Sequence, residues 1–154
     1  MKVTPKRNRS DSISAAIRAA QSVALGPLQP PAHVALRDGD LPYWTAIVTA
    51  RARDTWTAVD LTTAANLARS QADIETLQKE LDAQGYITAD GKINPLAVLI
   101  ETLTKRVVTL ARALHVNAEA ILGRARDSGS ALANERKAAA APVSDLIPTL
   151  RAVG

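Results

Sequence analysis

Two interleaved apolar rows run through residues 96–114: Leu96, Leu103 and Leu110 repeat at seven, and so do Ile100, Val107 and Leu114. Seven residues make almost two α-helical turns, so both rows fall on one side of a helix and form a continuous seam. Asn94 and Pro95 stand just before the first repeat. Asn is a good N-cap, and Pro belongs in the first helical turn because the amide it lacks would have no intrahelical partner there. A second seam lies upstream, with Leu67, Ile74 and Leu81 at intervals of seven and Ala64 and Leu77 in the intervening turns. Its start is marked by Thr57 and Asp60, a capping box in which hydroxyl and carboxylate each satisfy a free amide. Gly85 breaks this second pattern, and Asp90 and Gly91 supply a turn before Asn94. The chain must therefore fold back on itself as an antiparallel helical hairpin over residues 57–116, with Glu75 and Lys79 as an outward pair.

Two facing seams leave more apolar surface than a two-helix hairpin covers, which points to self-association. The residues expected to carry it are Leu67, Ile74, Leu81, Leu96, Ile100, Leu103, Val107, Leu110 and Leu114. Composition supports the same view. Of 154 residues, 47% are apolar, but Phe is absent and aromatics make up only 3%. Large side chains for a private core are scarce, and thin cores often need subunit partners.

Before the hairpin, residues 1–30 read as a basic arm followed by a short helix, with Ser10, Asp11 or Ser12 as cap and Ile13, Ile17, Ala20 and Ala24 on one face. Gly26 and Pro27 stop it, and Pro30 and Pro31 keep the connection extended. Residues 31–56 form a second helical element, expected to start near Asp40 with Pro42 in its first turn and to reach about Asp54. Leu41, Trp44, Ile47, Val48 and Ala52 would line its inner face, with Arg53 outward. Arg51 falls beside Trp44 by helical angle, so it either snorkels past the indole or meets a neighbouring subunit. After the hairpin, residues 117–127 suggest a short helix capped by Asn117 and containing Ile121 and Leu122. Residues 128–154 read as a flexible tail, low in large apolar residues until Val143, Leu146, Ile147 and Leu150. These four are spaced as a docking peptide would be, or belong to a tail with no partner.

The fold class is all-α, with short N-terminal helices followed by the long self-associating hairpin. No cysteine is present, which excludes disulfides and thiolate metal sites. The histidines, His33 and His115, are too far apart for a zinc-binding helix pair. Gly85, Gly91 and Lys92 mimic a phosphate loop, but the spacing is one residue too long and Ile93 replaces the hydroxyl ligand. Asp73, Glu75, Glu80 and Asp82 cluster on one helix as a solvated face, rather than as magnesium ligands or a general acid and base. No catalytic constellation emerges, so neither enzymatic activity nor a cofactor or small-molecule substrate is expected. No segment reads as membrane-spanning, and the protein is expected to be soluble and intracellular.

The net charge of +4 is unevenly spread. Residues 1–55 hold eight Lys and Arg against four Asp. Positive charge at one end suits phosphate contacts, and equally a tail that serves solubility. For nucleic acid the candidates are Lys2, Lys6, Arg7, Arg9, Arg18, Arg37 and Arg53.

The order of these features resembles that of bacteriophage terminase small subunits. The likeness runs through Pro31, His33 and Val34, then Trp44 and Ile47, then the apolar-Thr-x-x-Asp step at Trp56, Thr57 and Asp60. It continues through Leu67 and Ala68, Gly85, Asn94 and Pro95, and the helix ending at Leu110 to Leu114, covering roughly residues 31–123. The resemblance implies a homo-oligomeric ring in the cytoplasm of an infected bacterium. It also implies partners: viral double-stranded DNA at the packaging start site, and a terminase large subunit that carries the ATPase and nuclease. Two other functions fit the pattern of helices: a dimeric helix-turn-helix transcriptional regulator, and a helical scaffold without nucleic-acid binding.

Overall fold

A computed structural model describes residues 13–117 and 126–140. All of its regular structure is helical: α1 (Ile13–Ala24), α2 (Leu41–Val48), α3 (Ala58–Gln84), α4 (Pro95–Ala113) and α5 (Arg126–Ala140). Single 3-10 turns over Asp38–Asp40 and Arg53–Thr55 flank α2.

The α3–α4 hairpin is built on the signals its sequence carries. Thr57 Oγ1 accepts from the Asp60 amide at 3.1 Å, and Asp60 Oδ2 accepts from the Thr57 amide at 3.2 Å. At the far end Gly85 adopts φ +84°, a conformation that costs other residues strain, and its amide closes onto the Leu81 carbonyl at 2.7 Å. The connection is a miniature antiparallel ribbon with a bridge between Ile87 and Ile93 and a bond from the Thr88 amide to the Lys92 carbonyl. Asn94 locks this tip. Its Oδ1 accepts from the Leu96 amide at 3.0 Å, while its Nδ2 donates to the Gly85 carbonyl at 3.0 Å, tying the start of α4 to the end of α3.

The core lies where α2 crosses the N-terminal half of α3 and the C-terminal end of α4. Trp44, Ile47 and Val48 from α2 pack with Ala64, Ala65, Leu67 and Ala68 from α3, and with Leu114. The three alanines are wholly inaccessible. Small side chains there let the helices approach closely, which leaves the indole of Trp44 to fill the space, with Nε1 donating to the Leu28 carbonyl at 3.1 Å. Because α3 contacts α2 on one side and α4 on the other, its buried residues spread around the helix instead of forming one stripe.

Four expectations change. Helix α2 ends at Val48, not near Asp54: the Thr49 hydroxyl donates back to the Thr45 carbonyl at 2.8 Å, and the chain then breaks into the Arg53–Thr55 turn. Leu41 is exposed instead of lining the inner face, whereas Ala52 is buried as expected. On α1 the face bearing Ile13 and Ile17 is exposed, and the buried residue is Ala19, because α1 packs its alanine side against α5. Residues 126–140 are helical, so 128–140 of the expected flexible tail are not a coil: their alanines have high helix propensity, and α1 gives them a surface. The proposed short helix with Ile121 and Leu122, and the segment Val143, Leu146, Ile147 and Leu150, lie outside the described residues.

Candidate nucleic-acid interface

Of the cations singled out for nucleic acid, Lys2, Lys6, Arg7 and Arg9 lie outside the described residues, immediately before α1. The other three occupy different settings. Arg18 is exposed on α1, with Nε 3.4 Å from the Ser14 carbonyl one turn back, and is free to face a phosphate.

Arg37 is bound within the chain. Its guanidinium donates to Asp40 Oδ1 and to Asp73 Oδ1, each at 2.7 Å, and its amide donates to Asp40 Oδ2 at 2.8 Å. Asp40 is completely buried, and the Arg37 hydrogen bonds hold its carboxyl below the usual carboxylate range against the opposing effect of burial. This is a clamp between the turn before α2 and the middle of α3. It also accounts for Asp73, one of the acidic cluster on that helix. Within the cluster, Glu75 pairs with Lys79 at 3.5 Å and Asp82 accepts from Gln78 at 2.8 Å. Among the described residues no group of three or more His, Cys, Asp or Glu is arranged to hold a metal.

Arg53 stands at a junction. Its guanidinium bonds to the Gly26 carbonyl just past the end of α1, and its amide donates to Glu135 Oε2 of α5 at 2.8 Å. Arg53 is therefore half-buried instead of pointing outward.

Arg51 has more partners than its position suggested. It stacks over Trp56 at 4.5 Å from the ring centroid, not over Trp44. Its guanidinium donates to the Leu114 carbonyl at 2.8 Å, to the Thr55 carbonyl and to Thr55 Oγ1, and lies 3.6 Å from Asp60 Oδ2. One side chain thereby joins the loop after α2, the start of α3 and the end of α4. Neither reading of Arg51 drawn from helical angle included this, because both assumed that the helix continued past Val48.

The seam residues meet inside a single hairpin. Leu67, Leu81 and Leu114 are each 1% exposed in the isolated chain, so their surface is already covered within it, Leu67 and Leu114 in a cluster that includes residues of α2. Ile74, Leu96, Ile100, Leu103, Val107 and Leu110 are half-buried. The large apolar residues left outside are others: Val59 at the start of α3, Tyr86, Ile87 and Ile93 at the tip, and Val98, Leu99 and Val108 on α4. Helix α4 also exposes Arg106, Arg112 and Lys105, the last paired with Glu101 at 2.7 Å. The heptad pattern drew attention to the inner face of that helix and away from these cations.

The chain matches the Hendrixvirinae small terminase family over residues 1–154. It belongs to that family. It is also 33% identical over 137 residues to the terminase small subunit of Enterobacteria phage HK97, a match that covers 86% of this chain and 85% of that protein. The role of this terminase small subunit is thus in phage DNA packaging. Among the described residues no helix is long and apolar enough to cross a membrane.

Proposed function

We propose that this terminase small subunit binds the packaging start site of the viral genome as a closed homo-oligomer, and presents that DNA to the large subunit, whose ATPase and nuclease it regulates without bond chemistry of its own. What carries this reading is family membership over the full chain, together with the concentration of Lys and Arg ahead of α1. Basic residues there contact phosphates, with Arg18 extending the surface onto α1; such contacts give affinity that falls steeply with salt. Arg37 and Arg53 hold the folded N-terminal unit together and contribute less directly. Arg106 and Arg112 supply a second region of positive potential on the hairpin.

Self-association uses the apolar residues that the hairpin leaves uncovered, Val98, Leu99 and Val108, flanked by the half-buried row around Leu103. The segment Val143 to Leu150 contributes to docking on the large subunit. Native mass spectrometry of the full chain, combined with fluorescence anisotropy on double-stranded DNA across a salt series, tests the proposal. A large closed assembly with salt-dependent binding is expected. A simple dimer would favour a helix-turn-helix regulator, and an assembly indifferent to DNA would favour a scaffold.

A further inference from the structure

Each long helix carries an exposed ion pair one turn long. On α3 Glu75 meets Lys79 at 3.5 Å, and on α4 Glu101 meets Lys105 at 2.7 Å. All four side chains are more than half exposed, and neither pair faces the partner helix. Val98, Glu101, Lys105, Val108 and Arg112 follow one another at steps of three and four, so they share the side of α4 turned away from the seam residues Ile100, Leu103 and Val107. On α3, Glu75, Lys79 and Asp82 continue the side on which Ala68 is buried against α2, but nearer the turn, where that side is exposed.

The two pairs also stand level. Asn94 ties the helix ends at the turn, donating to Gln84 Oε1 at 3.3 Å and to the Gly85 carbonyl at 3.0 Å. Counted from those ends, Lys79 lies five residues from Gln84 and Glu101 six from Pro95, while Glu75 lies nine and Lys105 ten. At a rise of about 1.5 Å per residue, opposite charges on the two outer faces therefore differ in height by only about 1.5 Å. Moving away from the turn, α3 reads positive then negative, and α4 reads negative then positive.

We propose that the outer face of α4 in one copy docks on the outer face of α3 in the next, with both hairpins pointing the same way. Glu101 then meets Lys79 of the neighbouring copy, and Lys105 meets its Glu75. Turned upside down, the same two faces set like charges opposite each other. Complementary charges of this kind fix register and exclude wrong pairings more than they add affinity. Val98 and Val108, exposed on the same stripe of α4, supply apolar area. Because the two faces lie on opposite sides of one hairpin at equal heights, each copy leaves one face free for the next, with no step along the axis; a head-to-tail contact without such a step can close. The inference rests on the homo-oligomer reading given above, and names the surfaces that build it.

The test reverses each pair in the full chain at unchanged net charge. Glu101→Lys with Lys105→Glu reverses α4, and Glu75→Lys with Lys79→Glu reverses α3. Light scattering over a dilution series is expected to show that either reversal alone raises the concentration for half-dissociation by at least about tenfold, and that the four substitutions together restore it. Circular dichroism checks that each variant is folded. A second arm uses the absence of native cysteine. Thr76→Cys with Thr102→Cys, exposed and level on the two outer faces, should give a ladder of linked copies with a short thiol crosslinker, and either substitution alone should give none. Assembly indifferent to both reversals, or no recovery in the fourfold variant, would overturn the inference alone. So would dimers linked through Thr102→Cys by itself, the mark of α4 pairing with α4 about a two-fold axis, which also matches these charges. If the unaltered chain were a monomer or a simple dimer, the homo-oligomer reading would fall and the inference with it.

Discussion

Replacing Arg51 with Ala removes the side chain that joins three parts of the fold, and its cost follows from what the guanidinium touches. That group is 16% exposed and stacks on Trp56 at 4.5 Å, an interaction worth about 0.5–2 kcal/mol. Hydrogen bonds from a charged donor contribute about 1.5–3 kcal/mol, and deletion leaves the carbonyls of Leu114 and Thr55 without this partner in a largely closed environment. These contributions overlap, so about 3 kcal/mol is expected, not their sum. For a chain of this size that corresponds to a fall in Tm of roughly 10 °C. Arg51→Lys keeps a cation near Asp60 but lacks the planar fork needed to reach both carbonyls, and should lie between the two. Thermal and urea unfolding followed by circular dichroism, at matched protein concentration because assembly adds to apparent stability, gives the comparison. A loss below about 0.5 kcal/mol in Arg51→Ala, typical of an exposed charge, would refute the assignment of Arg51 as the joint.

Asp40→Ala leaves Arg37 with Asp73 alone and removes a fully buried carboxylate, so a loss of about 2–4 kcal/mol is expected in urea unfolding. Because the folded state holds the Asp40 carboxyl below its ordinary range, its contribution is complete above the unfolded pKa and fades as pH falls through the folded one. The stability of the unaltered chain should therefore drop more steeply under acid than that of Asp40→Ala; parallel curves would count against the clamp. Thr57→Ala breaks the capping box of α3 and should cost about 1 kcal/mol, read as a shift in urea midpoint at constant slope. Leu103→Asp puts a charge into the half-buried face between the hairpin helices, and light scattering should report dissociation or unfolding; unchanged mass and Tm would contradict its place in the seam.

The parts of this fold that were legible in the sequence are those fixed by local chemistry. Thr57 with Asp60, Asn94 with Pro95, and Gly85 act through partners a few residues away, and each marks the helix boundary that its spacing announced. The heptad rows identified both long helices because periodicity survives whichever partner covers it. It could not say whether that partner is the same chain or another. Leu67, Leu81 and Leu114 illustrate the difference: their spacing is that of an assembly seam, and their burial is already complete inside one chain, with α2 helping to cover Leu67 and Leu114. Arg37 and Arg53 read as free charge, and Arg51 as a neighbour of Trp44, in part because Asp73, Glu135 and Leu114, which they meet, lie 36, 82 and 63 residues away. Helix α5 reads as tail in the sequence because it lacks a stripe of large apolar residues, and its alanines give helix propensity without one.

The most direct test of the central claim is the salt dependence of DNA binding by the full chain, compared with a variant carrying Arg7→Glu and Arg9→Glu. These substitutions lie ahead of α1 in the sequence and leave Arg37, Arg51 and Arg53 themselves unaltered. If the basic segment meets the phosphates, the slope of log affinity against log salt should flatten by about 2, one for each phosphate no longer neutralised, and affinity at low salt should fall. Equal slopes and equal low-salt affinities would contradict an N-terminal DNA-binding surface.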